Sequence, residues 1–137
     1  MNKILFLFII KVFIHAFTFA NESKKPEEVL KRIYPNSQIE IKNIIINDSQ
    51  LEEIKKLSGI AKFDSKLISL YIVKKDDKPL AYCYVDIHIV RTKMEAVLFA
   101  VNKDFEIDAV EVLYFGEPIE YLPDKRWFES FKGKSLK

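Results

Sequence analysis

Two side chains in the middle of the chain have the types and the spacing needed for acid–base chemistry. Asp86 and His88 are two residues apart in a stretch that predicts a β-strand, so both side chains project from the same strand face. A carboxylate beside an imidazole is the simplest pair for a general acid or base. The sequence marks no nucleophile and no third group for this pair, so a solvent-facing strand surface is the favoured interpretation.

A group of aromatic residues near the C-terminal end could instead bind a ligand. Trp127, Phe128 and Phe131 follow helical spacing and could stack on a planar molecule. Aromatic residues with this spacing more often pack in the core of a domain. Both interpretations remain open from the sequence.

Composition excludes several other chemistries. Only three glycines occur in 137 residues, which excludes the glycine-rich phosphate-binding loops of Rossmann and P-loop proteins. The single cysteine, Cys83, cannot form an internal disulfide, and with two histidines it cannot build a Cys/His zinc site of the usual spacing. Cys83 lies in an alternating apolar run, so we predict a buried and unreactive thiol.

A basic start followed by an apolar run predicts an export signal in residues 1–20. Cleavage after Ala20 is the favoured prediction, because a small residue there precedes a polar stretch. The alternative is a retained membrane anchor formed by residues 4–20, in which the central Lys11 would cost about 2.5 to 3.5 kcal/mol. In either case we expect an exported protein, in the periplasm or on the outer face of the cytoplasmic membrane.

The remaining charges argue against a nucleic-acid partner. Lys3 and Lys11 lie in the predicted signal, so the 22 basic residues of the chain fall to 20 and balance its 20 acidic residues. Acidic and basic side chains are interleaved along the predicted helices, as on solvent-exposed helix faces. We therefore expect no nucleic-acid partner.

The rest of the chain, residues 21–137, predicts one α+β domain. The predicted elements are helices over residues 23–34 and 49–58, a strand or extended arm over residues 39–46, strands near residues 67–73, 80–90, 94–101 and 107–115, and a short aromatic helix that closes at Gly133. Short polar turns join consecutive strands. The fold class is therefore predicted as N-terminal helices, a four-stranded antiparallel sheet and a short C-terminal aromatic helix.

The C-terminal third carries the most specific motifs in the chain. A strand with the pattern V-x-V-L runs into the turn Glu117-Pro118, and an aromatic helix that contains Trp127 ends in the pattern F-x-G-K at residues 131–134. Together these motifs resemble the FMN-binding domain family. Members of that family occur in ion-translocating NADH:quinone reductases, electron-transport complexes and regulators of nitrous-oxide respiration.

The resemblance implies an exported FMN-binding domain that takes part in electron transfer, with a membrane electron-transfer complex as its partner. The cofactor-binding residues that it implies are Glu117, Pro118, Trp127, Phe131, Gly133 and Lys134, with Lys134 as a counter-charge for the phosphate. The family attaches FMN through a Ser/Thr-Gly-Ala-Thr segment that follows the F-x-G-K motif, and residues 1–137 contain no such segment. We therefore expect a C-terminally incomplete domain that binds FMN weakly and noncovalently. The alternative is a cofactor-free exported binding or scaffold module of the same fold.

Overall fold

The computed structural model of the protein describes residues 22–59 and 65–136. The predicted export signal or anchor, residues 1–20, lies outside the described residues. Within the described ranges, no helix is both long enough and apolar enough to cross a bilayer.

In these ranges the chain forms a five-stranded antiparallel sheet, three α-helices and one short 3-10 helix. The elements in chain order are α1 (Pro26–Ile33), β1 (Gln38–Ile45), α2 (Asp48–Ser58), β2 (Leu67–Lys75), β3 (Lys78–Val90), β4 (Lys93–Asn102), β5 (Ile107–Phe115), the 3-10 helix (Ile119–Tyr121) and α3 (Lys125–Glu129). The spatial order of the strands is the same as their chain order, so the sheet is a simple meander.

The prediction of a four-stranded sheet is wrong, because β1 is a fifth strand. It pairs with β2 along its whole length, from Gln38 opposite Lys74 to Ile45 opposite Leu67. The sequence left this segment open between a strand and an extended arm, since its apolar alternation breaks down in the run of isoleucines that ends at Ile46. Without β1, the long strand β2 would present unpaired backbone groups at the edge of the sheet.

The other four strands lie where the period of two places them. The predicted ranges 67–73, 80–90, 94–101 and 107–115 correspond to β2, β3, β4 and β5 within a few residues. Strands β3 and β4 form a hairpin whose two-residue turn, Arg91-Thr92, sets Val90 opposite Lys93. Arg91 has a φ of +55°, as the tight hairpin turn requires of its first residue.

Helix α1 covers one face of the sheet. Proline begins this helix, acidic residues occupy its first turn and basic residues its last turn, so its charges complement the helix dipole. The core consists of Val29, Leu30, Val73, Ala81, Cys83, Leu98, Ala100 and Leu113. The predicted burial of Cys83 is confirmed, since its side chain is fully enclosed in this core.

Polar contacts fix the C-terminal end of α1 to β5. The hydroxyl of Tyr34 donates a hydrogen bond to Oδ2 of Asp108 at 2.8 Å. Arg32 donates to Oε2 of Glu111 at 3.0 Å. These contacts hold α1 against β5, although the two elements are far apart in the sequence.

Candidate functional site

The face of the sheet opposite to α1 carries the C-terminal aromatic segment. Alternate residues of a strand point to opposite faces of a sheet. In β4, Leu98 and Ala100 belong to the core beneath α1, so Val97 and Phe99 face the other side. The chain after β5 crosses to this side and places the residues of α3 over it.

The aromatic residues of this segment pack edge to face. The ring centroid of Trp127 lies 4.9 Å from that of Phe128, with an interplanar angle of 85°. The ring centroid of Phe131 lies at the same distance from that of Trp127, with an interplanar angle of 82°. Trp127 is 52% exposed, so the cluster does not simply close the core as the burial interpretation proposed.

A cavity of about 340 Å³ lies between this cluster and the sheet, and we call it the aromatic pocket. Six of its lining residues are aromatic, namely Phe99, Phe115, Tyr121, Trp127, Phe128 and Phe131. Four more are apolar, namely Val90, Val97, Val110 and Pro123. The only side chains among its lining residues that can carry a charge at neutral pH are His88 and Glu95. Its size and composition are those of a small-molecule binding site.

The polar wall of the aromatic pocket contains the residue pair that the sequence marked for acid–base chemistry. Nδ1 of His88 lies 2.8 Å from Oδ2 of Asp86, which confirms that the two side chains are neighbours. Nε2 of the same ring lies 3.1 Å from Oε2 of Glu95. Glu95 is a buried carboxylate, whereas His88 and Asp86 are partly exposed.

Sequence reasoning missed Glu95 as the third member of this group. The signal was the hairpin register, because a two-residue turn after Val90 places His88 directly opposite Glu95. Each nitrogen of the imidazole faces a carboxylate, so neither is directed at a metal ion. Among residues 22–59 and 65–136, no group of three or more His, Cys, Asp or Glu side chains could hold one.

A second, more open cavity of about 760 Å³ lies beside the aromatic pocket along the outer edge of β5, and we call it the β5 groove. The two cavities share Val110, Pro123 and Phe128 in their walls. The groove contains four basic residues, Lys24, Arg32, Lys125 and Lys132, and three acidic ones, Asp108, Glu111 and Glu129.

Most of these groove charges pair with each other. Arg32 forms an ion pair with Glu111, and Nζ of Lys125 lies 3.4 Å from Oε1 of Glu129. Among the described residues, neither Lys24 nor Lys132 has a carboxylate partner within ion-pair distance, but the ammonium group of Lys24 donates to the carbonyl of Val112 at 3.2 Å. Lys132 is therefore the groove cation most available to a bound anion.

Of the six residues that the resemblance implied, Trp127 and Phe131 line the aromatic pocket. Glu117 lies elsewhere and is buried at the β3–β4 turn. One of its oxygens accepts hydrogen bonds from the backbone N–H of Thr92 at 2.7 Å, the hydroxyl of Thr92 at 2.9 Å and the backbone N–H of Lys93 at 3.0 Å. These bonds, the Thr92 N–H first, lower the pKa of Glu117. Its position makes Glu117 a structural anchor for the turn.

The other three residues lie in the backbone around the pocket. Pro118 immediately precedes the 3-10 helix. Gly133, at a φ of +78°, donates its backbone N–H to the carbonyl of Ile107 at 2.7 Å, and the carbonyl of Lys134 accepts from Ile107 at 2.9 Å. The ammonium group of Lys134 lies 5.2 Å from the ring centroid of Phe131. Lys134 thus lies near the ring of Phe131 and is not among the lining residues of either cavity.

In comparisons with known proteins, no protein-family model, curated protein or solved structure matches this chain. Function is therefore inferred from the geometry of the two cavities and from the residues that line them.

Proposed function

We propose that this protein is an exported electron-transfer domain that binds FMN noncovalently, with the flavin ring in the aromatic pocket. The aromatic pocket is the observation that carries the proposal, because it is an apolar, aromatic-lined cavity of about 340 Å³ on a five-stranded sheet. A bound flavin supplies the redox chemistry, whereas the protein binds and orients it. Export and a membrane electron-transfer partner rest on residues 1–20 and on the motif resemblance.

Trp127 is the residue that supports ring binding most directly. It lines the aromatic pocket while 52% of its surface remains exposed, so a planar ligand could cover an aromatic side chain that the protein itself leaves uncovered. Burial of apolar area and ring contacts both favour such binding. Trp127 and Phe131 are also the two residues on which the motif resemblance and the pocket agree.

The β5 groove supports the phosphate end of the ligand. It opens beside the aromatic pocket, and the two cavities share the side chain of Phe128 as a wall. FMN has a flexible polar chain that ends in a phosphate, so a ring pocket next to a cationic groove matches its two parts. Among the described residues, Lys24 and Lys132 are the groove cations without a carboxylate partner. The ammonium group of Lys24 donates to the carbonyl of Val112, so we assign Lys132 to the phosphate.

The test is a titration of the full chain with FMN, followed by quenching of flavin fluorescence. We expect saturable binding of one FMN per chain, and about tenfold weaker binding by Trp127→Ala. Tyr82→Ala is the matched control, because Tyr82 is a 38% exposed aromatic residue that does not line the aromatic pocket. Its affinity should equal that of the wild type.

Riboflavin lacks the phosphate, so comparing its binding with that of FMN separates the contribution of the aromatic pocket from that of the β5 groove. Lys132→Ala should weaken FMN binding and leave riboflavin binding unchanged. If the protein binds riboflavin saturably and as tightly as FMN, the β5 groove does not bind the phosphate and is no longer part of the proposed site. Absence of saturable binding for both ligands would overturn the proposal and favour the cofactor-free binding or scaffold module.

A further inference from the structure

The aromatic pocket is polar at one end and apolar at the other. Glu95, Val97 and Phe99 are alternate residues of β4 that all line it. At about 3.3 Å per residue, the stretch from Glu95 to Phe99 spans about 13 Å along the sheet. A long, planar ligand that lies along β4 therefore has one end at the carboxylate of Glu95 and the other end at the ring of Phe99.

The carboxylate of Glu95 lacks a full set of hydrogen-bond donors. The residue is 8% exposed, and Oε2 lies 3.1 Å from Nε2 of His88. Among the described residues, no N–H or O–H donates to its other oxygen, Oε1, and no buried side-chain oxygen lacks a hydrogen-bond partner, so Oε1 is an accessible atom of a residue that lines the pocket. An accessible oxygen on an otherwise buried carboxylate can accept a hydrogen bond from a ligand N–H, and hydrogen bonds to charged acceptors are stronger than those between neutral groups.

His88 holds this acceptor in place. Its ring is fixed from the other side by Asp86, with Nδ1 2.8 Å from Oδ2. The backbone pairing of β3 with β4 sets His88 directly opposite Glu95. The carboxylate of Glu95 is therefore held by two strands of the sheet instead of by a loop. This arrangement is expected of a site that recognises one edge of a ligand.

We propose that Glu95, held by His88, binds the imide N–H of the flavin ring and so determines which edge of the ring enters the polar end of the pocket. This inference rests on the proposed function. A flavin ring has one edge with an N–H between two carbonyls and an opposite edge with two methyl groups. The imide edge matches Glu95, and the methylated edge matches the wall formed by Phe99 and Phe131.

The test compares lumiflavin with 3-methyllumiflavin, in which a methyl group replaces the imide hydrogen. Both analogues lack the ribityl phosphate, so the β5 groove does not affect the result. The wild-type chain should bind lumiflavin about tenfold or more tightly than the methylated analogue, since a hydrogen bond to a buried charged acceptor is lost. In Glu95→Leu the ratio of the two affinities should fall to about one.

Val90→Ala is the matched control, because Val90 lines the same pocket without an acceptor. This variant should weaken the binding of both analogues equally and keep the wild-type ratio of their affinities. Equal binding of the two analogues by the wild-type chain would overturn this inference and leave the proposed function standing. A ratio that persists in Glu95→Leu would mean steric exclusion of the methyl group, which also overturns the inference. Failure of both analogues to bind would overturn the proposed function itself.

Discussion

Glu117 contributes to stability through its charge. Its three hydrogen bonds come from the β3–β4 turn, and they favour the ionised carboxylate, so its pKa is lower in the folded than in the unfolded protein. A lowered pKa contributes stability that is fully present above the unfolded value of about 4.3. This stability is lost as the pH falls through the folded value.

The first prediction is that Glu117→Gln melts several degrees below the wild type at pH 7, and that the gap shrinks as the pH falls below about 4. Thermal melts followed by circular dichroism between pH 3 and pH 7 measure both effects. Glu120→Gln is the control, because Glu120 is an exposed acid in the same segment. If the difference in melting temperature between Glu117→Gln and the wild type does not change with pH, the lowered pKa of Glu117 is contradicted.

The thiol of Cys83 gives the second prediction. The side chain is fully enclosed, and burial raises its pKa to about 12. Since the thiolate is the reactive species, the native protein should not react with DTNB at pH 8 over the time in which the unfolded chain reacts completely. Absorbance of the released thiolate measures the rate. Rapid reaction of the native protein would show that the core around α1 opens readily.

At the level of elements, the third prediction concerns the junction of α1 with β5. Tyr34→Phe removes the hydroxyl that donates to Asp108 and should cost about 1 kcal/mol in the free energy of unfolding, measured by urea denaturation. Tyr82→Phe, at an exposed position of β3, should cost much less.

The junction of α1 with β5 should also affect how the stability of the protein depends on pH above neutrality. Burial first, and then the contact with Asp108, raise the pKa of Tyr34 above its usual value. A raised pKa contributes stability below the unfolded value of about 10 that is lost as the pH rises beyond it. Tyr34→Phe should therefore lose less stability than the wild type above pH 10. Parallel curves for the two proteins in that range would contradict a raised pKa for Tyr34.

The fourth prediction concerns the close approach of β4 to the chain that leaves β5. The backbone N–H of Gly116 donates to the carbonyl of Met94 at 2.9 Å. A Cβ at position 116 would lie 2.9 Å from that same oxygen and 2.9 Å from Cβ of Lys93. Gly116→Ala should therefore lower the free energy of unfolding by about 1 to 3 kcal/mol, measured in urea. An unchanged urea midpoint would show that this contact opens without cost.

The sequence predicts the strands of this fold better than the sheet they form. The period of two is clear in β2 to β5, and it also places Asp86 beside His88. The sequence alone does not decide whether β1 is a strand, since a continuous apolar run has no period. Its pairing with β2 is a tertiary contact that local pattern does not encode.

The candidate site is less predictable than the strands. The aromatic spacing of Trp127 and Phe131 is visible in the sequence, but the face of the sheet that they cover depends on the path of the chain between Gly116 and Asp124. The third polar residue, Glu95, follows from the register of one hairpin and needs the turn to be placed within one residue. Element boundaries from sequence are seldom that precise.

For the molecule as a whole, the meander joins each strand to the next one in the chain, so most of the sheet forms from local contacts. Helix α1 is different. Hydrogen bonds from Lys24, Arg32 and Tyr34 to β5 join residues 88, 79 and 74 positions apart.

This long separation dictates an order of assembly. The docking partner of α1 is the last of the five described strands in chain order, so the helix has no complete surface to pack on until the sheet is nearly finished. Leu30→Ala should therefore speed unfolding while leaving the refolding rate almost unchanged, whereas Val73→Ala, inside the meander, should slow refolding. Stopped-flow chevron plots of the two variants measure these rates. On this view the first of the described elements to leave the ribosome is fixed in place only after the strands on which it packs.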